Sequence, residues 1–302
     1  SDGSSETPPN RRPNERVLTV SDTSYDEIIK GGTVIDGTGT PARLADIAIR
    51  DGKIVTIGKV DGDATIVTDA TGRMVMPGVV DVHTHYDAQL LWDPGASPSA
   101  NHGVTTIIAG NCGFTLAPLR PTAAEAEYLQ EMMSRVEGMP LPALRTIDWN
   151  WETFEQYLNQ FENRISVNAG WMAGHCAIRR YVMGPESVGG EATPEQIEAM
   201  VAELRKAIEV GALGWSFTTS GSHSDGDGQP VPSRWASTEE MLAMATEVGR
   251  HEGTSLEGIV PGCLDRFADD EIELLATLSA AAKRVMNWNV LTIDSREPDR
   301  VG

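Results

Sequence analysis

The sequence predicts an α/β fold: a (β/α) barrel of the TIM type, incomplete at about six β/α units, preceded by a small β-sandwich module. Three observations lead there. Before residue 76 the chain is a series of short alternating runs joined by tight turns. After Gly78, short apolar runs alternate with capped, charge-rich helical segments, the signature of a parallel sheet. The apolar runs also end in polar residues, as barrel strands do where they meet an active site. An open doubly wound sheet is the competing arrangement.

In chain order, residues 1–23 are rich in Ser, Pro, Asn and Arg and have no apolar signal-peptide segment, so they read as a flexible arm. Residues 24–75 form the small module. Within it Asp51-Gly52 separates two alternating runs, which predicts a hairpin. Residues 76–302 form the barrel. Its strands are expected at 79–83, 105–109, 166–169, 212–217, 254–259 and 285–291, and its helices at 123–136, 151–161, 194–210, 238–252 and 269–283. Thr193-Pro194-Glu195-Gln196 and Ser237-Thr238-Glu239-Glu240 supply N-caps with acids in the first turn. A closed barrel has eight strands. Six are legible here, so either further strands go unrecognised in this sequence or the remaining staves lie in a part absent from this chain or in another polypeptide.

The 302 residues carry 24 Lys and Arg against 44 Asp and Glu, a net charge of -20. Such a balance argues against nucleic acid or an anionic membrane as partner, because both select basic surfaces. No Gly-x-Gly-x-x-Gly or Walker pattern follows a strand, which argues against a nucleotide fold. Three cysteines without a Cys-x-x-Cys pair fit free thiols in a reducing compartment, and a cytoplasmic location is expected.

The chemistry centres on Met76-Pro77-Gly78-Val79-Val80-Asp81-Val82-His83-Thr84-His85. Side chains two apart on a strand point the same way, so His83 and His85 are expected to converge as metal-binding imidazoles must. Cys112, beside Gly113 at the end of the second strand, would add a thiolate. Glu257 on the fifth strand is a ligand or a general base, and His175 after the third is a catalytic candidate or a structural hydrogen-bonding residue. Arg179 would hold a substrate carboxylate or else form an ion pair. The Gly- and Asp-rich stretch from Thr218 to Pro232 reads as a cover over the site, with Ser220 and His223 as substrate contacts, and Asn289 on the sixth strand is another. His102 reads as structural, and His251 as a partner of its own helix terminus.

Residues 77–85 resemble the first barrel strand of the amidohydrolase superfamily, and the module before them resembles that superfamily's appended sandwich. His102-Gly103-Val104-Thr105-Thr106, then Gly110-Asn111-Cys112-Gly113, is similar to the second strand of the D-aminoacylases, the N-acyl-D-amino-acid deacylases. Gly174-His175 with Arg179, and Asp225-Gly226-Asp227-Gly228-Gln229-Pro230-Val231-Pro232, extend the likeness. The resemblance implies a zinc-dependent hydrolase with one or two ions, other divalent metals being compatible. It implies an N-acyl amino acid or related amide as substrate. Cys112 matches the metal-ligating cysteine that stands in for the superfamily's carboxylated lysine. Two departures stand out. The family's histidines on strands five and six are replaced by Glu257 and by Asn287 or Asn289, and its aspartate base on strand eight lies beyond Gly302. The expected assembly is a homo-oligomer or association with a chain that completes the barrel. A non-catalytic half-barrel subunit is the alternative.

Overall fold

The computed structural model describes residues 24–289. The expected N-terminal arm therefore lies outside the described residues, as do Val290 and Leu291 of the sixth expected strand. The chain divides into two compact units, Ser1–Pro77 and Gly78–Gly302.

In the first unit, β1 (Ser24–Val34), β2 (Arg43–Arg50), β3 (Lys53–Gly58) and β4 (Asp63–Asp69) form one sheet in the order β3-β2-β1-β4, and β5 (Met74–Val75) also pairs with β1. The β2–β3 hairpin turns at Asp51 and Gly52, whose φ angles of 51° and 69° suit the two-residue turn that matches strand twist. A sandwich requires a second sheet facing the first. Among the described residues of this unit only one sheet exists, with a small apolar cluster of Ile28, Ala48 and Val60.

The second unit carries β6 (Val79–Asp81), β7 (Val104–Ala109), β8 (Asn168–Trp171), β9 (Ala173–Gly174), β10 (Gly214–Thr218), β11 (Ser255–Ile259) and β12 (Met286–Trp288). All pairings are parallel and sequential: β6-β7-β8 in one sheet and β9-β10-β11-β12 in another. Residues 168–174 act as one stave interrupted at Met172. Their first half pairs with β7, while Ala173 and Gly174 pair with β10. A doubly wound sheet reverses its strand order at a switch point. No reversal occurs here, so the six staves follow barrel order, and the ring is not closed among the described residues.

Helices Ala123–Glu137, Pro194–Glu209, Thr238–Val248 and Asp269–Ala282 lie where the charge-rich segments predict them. Thr193 caps its helix through a capping box with Gln196. The helix expected at 151–161 is shorter, Phe154–Leu158, because Thr153 caps it late. A further helix, His175–Met183, follows β9 directly. The apolar face of these elements closes on one core that includes Trp151, Tyr157, Trp215, Phe217, Met200 and Leu204. No helix among the described residues is long and apolar enough to cross a membrane.

Candidate metal centre

The first stave is shorter than the apolar run suggests: β6 stops at Asp81, two residues before His83. His83 and His85 therefore converge beyond the strand rather than through its pleat. Thr84 between them is fastened to β7, its backbone N–H and its hydroxyl both donating to the Ile108 carbonyl at 2.9 Å. With Thr84 turned inward, the flanking rings meet edge to face, centroids 5.1 Å apart, and their Nε2 atoms face each other at 3.2 Å.

Cys112 arrives from the end of β7. Gly110, Cys112 and Gly113 all have positive φ, at 75°, 55° and 79°. A cysteine in the left-handed region costs on the order of 1–2 kcal/mol, so its surroundings must hold it there. They do: the Cys112 N–H donates to Glu257 Oε2 at 2.6 Å, and the Gly113 N–H to Ser216 Oγ at 3.0 Å. The glycine beside it is required by space, since a Cβ at Gly110 would lie 2.3 Å from the Met172 carbonyl oxygen. The turn sets Cys112 Sγ 3.5 Å from His83 Nε2.

Two imidazole nitrogens and one sulfur thus lie within 4.8 Å of one another. A tetrahedral zinc ion with Zn–N bonds near 2.05 Å and Zn–S bonds near 2.3 Å sets N···N edges of about 3.3 Å and N···S edges of about 3.5 Å. The two short separations here match those edges. Protonation favours the same use. Burial lowers the pKa of both histidines, His85 to about 3 with His83 and His223 adding to the effect, so both rings offer lone pairs. Burial, with Glu257 next, pushes the Cys112 thiol up. A cation is the ordinary means of drawing off such a proton. The Nδ1 atoms of His83 and His85 are buried without a hydrogen-bond partner. These residues fit a zinc ion.

Around the donors lie three carboxyl groups. Glu257 Oε1 sits 3.8 Å from His83 Nδ1, 3.9 Å from Cys112 Sγ and 2.6 Å from Asn289 Nδ2, which donates to it. Burial raises its pKa to about 8, against the lowering effect of the Cys112 and Asn289 bonds. Glu137, which sequence reasoning missed, places Oε1 3.5 Å from His85 Nε2, and burial next to Asp87 raises it to about 8. Its signal was present: it is an acid in the last turn of a helix, the end that favours cations. Asp87, also missed, accepts from the Gly110 N–H at 3.1 Å, and burial raises it to about 7. It continues the alternation of His83 and His85.

Of the other expected residues, His223 lies at the edge of the site. Its ring packs 4.9 Å from Phe114, whose ring is 6.3 Å from His85. Burial and the nearby Arg234 lower its pKa to about 4. Asn289 reaches the site, whereas Asn287 is exposed. Ser220 is fully buried and its hydroxyl pairs with Ser222 at 2.9 Å, so it is not presented to a substrate. For His175 and Arg179 the structure shows the structural alternatives, a hydrogen-bonded histidine and an ion-paired arginine. Both are fully buried and both are bound to Glu240. All the N–H groups of Arg179 are engaged by Glu240 or by the carbonyls of Ser187, Pro232, Gly190 and Trp235, which leaves none for a substrate carboxylate.

Comparison with known proteins bears on the same residues. A D-aminoacylase from Alcaligenes xylosoxydans xylosoxydans is 34% identical over 233 residues, covering 76% of this chain and 43% of that protein. A D-aminoacylase structure solved for the role of its binuclear metal centre superimposes with a TM-score of 0.68 at 31% identity, over 87% of this chain and 50% of that one. An N-acyl-D-glutamate deacylase from Bordetella bronchiseptica, complexed with zinc and a phosphonate inhibitor, gives 0.68 at 25% identity, over 87% and 50%. The chain thus spans half the length of these relatives or less. Residues 67–301, a stretch that holds every donor described above, match the Amidohydrolase family. The chain belongs to that family.

Proposed function

We propose that this chain forms the metal-binding part of a zinc-dependent hydrolase that cleaves the amide bond of N-acyl-D-amino acids. The observation that carries the reading is the convergence of donor atoms of His83, His85 and Cys112 within 4.8 Å, with the His83–His85 and His83–Cys112 separations at tetrahedral spacing. The relatives named D-aminoacylase and N-acyl-D-aspartate deacylase supply the substrate class.

An ion held by these donors supplies a Lewis acid for the scissile carbonyl and brings the pKa of a water toward about 7. The chain's own residues do the rest. His83 and His85 present neutral rings. Glu257 holds the Cys112 backbone in its left-handed turn. Burial raises the Glu257 pKa to about 8 without an ion, which suits a group that takes up a proton and passes it to a leaving nitrogen. Asn289 orients that carboxyl. His223 Nδ1 lies 2.8 Å from the Thr218 hydroxyl, which also accepts the Ser220 N–H; in the tautomer where the hydroxyl donates to Nδ1, Nε2–H is a donor for the substrate. In this reading Glu257 is the acid–base group, and His223 and Asn289 are substrate contacts.

The test combines metal and substrate. The protein, purified together with any chain that completes the barrel, is assayed by elemental analysis for zinc and by amine release from paired N-acetyl-D- and N-acetyl-L-amino acids, acidic and apolar. The expected result is zinc near one equivalent or above and hydrolysis confined to the D series. Hydrolysis of neither series with zinc bound would overturn the substrate assignment. A reducing, cytoplasmic setting fits the three free, buried cysteines. Association with further copies, or with a chain completing the barrel, belongs to the same proposal and is read by native mass measurement.

A further inference from the structure

The Gly174-His175-Cys176-Ala177-Ile178-Arg179 stretch contributes no donor to the metal centre, yet it holds a densely bonded polar group. Arg179 Nε donates to Glu240 Oε1 at 2.7 Å. Its Nη1 donates to the Ser187 and Pro232 carbonyls at 2.6 and 3.0 Å, and its Nη2 to those of Gly190 and Trp235 at 3.0 and 3.3 Å. His175 Nε2 lies 2.8 Å from the same Glu240 oxygen, and its Nδ1 lies 3.1 Å from Ser233 Oγ. The directions are consistent if Nε2–H donates to Glu240 and the Ser233 hydroxyl donates to Nδ1. Ser233 Oγ then accepts the Thr218 N–H at 3.0 Å.

The order Ser233, His175, Glu240 copies the connectivity of a hydrolytic triad. It is not one, since all three side chains are buried and no substrate reaches the hydroxyl. Besides the Ser187 and Gly190 carbonyls, what the set touches is the loop after β10. Pro232, Ser233 and Trp235 form the foot of the 219–236 segment that follows β10, and Thr218 is the last residue of β10. The Thr218 hydroxyl holds His223 Nδ1.

We propose that the buried Arg179–Glu240–His175–Ser233 set is a positioning device that clamps the foot of the 219–236 loop and, through Thr218, sets the His223 imidazole at the mouth of the metal centre. The inference deepens the hydrolase reading and rests on it for the role of His223. The clamping itself is measurable without metal or substrate. These four are positioning residues and touch no reacting atom.

The test uses Ser233→Ala, Arg179→Lys and Thr218→Val, with Leu204→Ala, in the core away from the loop, as a control of matched stability loss. Hydrogen exchange of peptides spanning 219–231 is expected to quicken at least about tenfold in Ser233→Ala and Arg179→Lys and to stay unchanged in the control. The His223 ring nitrogen signals should shift in Ser233→Ala and Thr218→Val alike. On an N-acetyl-D-amino acid, KM should rise about tenfold in Ser233→Ala with kcat and zinc content within about twofold. The Ser233→Ala, Thr218→Val double variant should be no worse than Thr218→Val alone, because both act along one path. If Arg179→Lys does not fold, the two smaller truncations carry the test. Unchanged loop exchange in Ser233→Ala, or an equal change in Leu204→Ala, overturns the clamp. If the wild type cleaves none of the amides, the hydrolase reading fails, and the exchange data still decide the clamp.

Discussion

Replacing Cys112 with alanine removes one of three converging donors while leaving the backbone turn and the Glu257 bond to its N–H in place. Zinc sites with four protein donors bind with roughly 10–16 kcal/mol at neutral pH, or about 2.5–4 kcal/mol per donor. At about 1.4 kcal/mol per tenfold, loss of the sulfur weakens zinc binding by two to three orders of magnitude. Thermal unfolding reads this directly. At a free zinc concentration 100 times the wild-type Kd, binding adds about 2.7 kcal/mol of stability. For a unit the size of Gly78–Gly302 that raises Tm by about 5–10 °C. At the same zinc concentration the variant gains about 0.4 kcal/mol or less. Metal-free Tm values of the two proteins, compared first, separate the loss of a buried thiol from the loss of a ligand. A chelator-competition titration gives the affinity ratio independently. A Cys112→Ala protein that binds zinc within about threefold of wild type would refute the assignment of the sulfur. A wild type whose Tm ignores zinc would refute the site.

Two further outcomes probe the scaffold. Gly174 sits where β9 meets the His175–Met183 helix, and a Cβ there would lie 2.6 Å from Thr115 N and 2.7 Å from the Gly113 carbonyl oxygen. Backbone cannot yield as a side-chain tip can, so Gly174→Ala should cost about 3 kcal/mol or more in urea unfolding and displace the Cys112 turn. Glu247 binds Arg205, and also Arg250 and His251, which ties helix Pro194–Glu209 to helix Thr238–Val248. The Arg205 hydrogen bonds, opposed by burial and aided by His251 and Arg250, hold its carboxyl at about 2. Because the folded pKa lies below the unfolded one, this stability is present above about pH 4.5 and is lost as pH falls toward 2. Arg205 and Arg250 are about half exposed, so solvent screening leaves about 1 kcal/mol. Glu247→Gln should therefore flatten the acid limb of the stability profile by that amount and leave the limb above pH 6 parallel to wild type.

What was legible in the chain, and what was not, follows from how far apart the interacting residues lie and from which end of an element they occupy. The staves could be read because each is a short apolar run closed by a capped helix, and parallel order then follows from right-handed β/α connection. That order brings strand ends together whatever their separation in sequence, so His83, Cys112, Glu257 and Asn289 could be grouped across more than 200 residues. The pleat argument for His83 and His85 named the right pair for the wrong reason: the strand ends at Asp81, and it is Thr84, hydrogen-bonded to Ile108, that turns the rings together. His175 and Arg179 stayed open between a site role and a structural one because helix-to-loop packing has no such rule. Their partner Glu240 lies 65 and 61 residues on, on the flank of another helix, and nothing local marks it as buried. A polar residue near a strand end is thus ambiguous until its burial is known. Turned under the next helix, as His175 and Arg179 are, it meets a counter-charge. Glu137 is the converse case. Its unfavourable place in the last turn of a helix was the only sequence sign that something other than helix stability keeps an acid there, and 3.5 Å away stands His85.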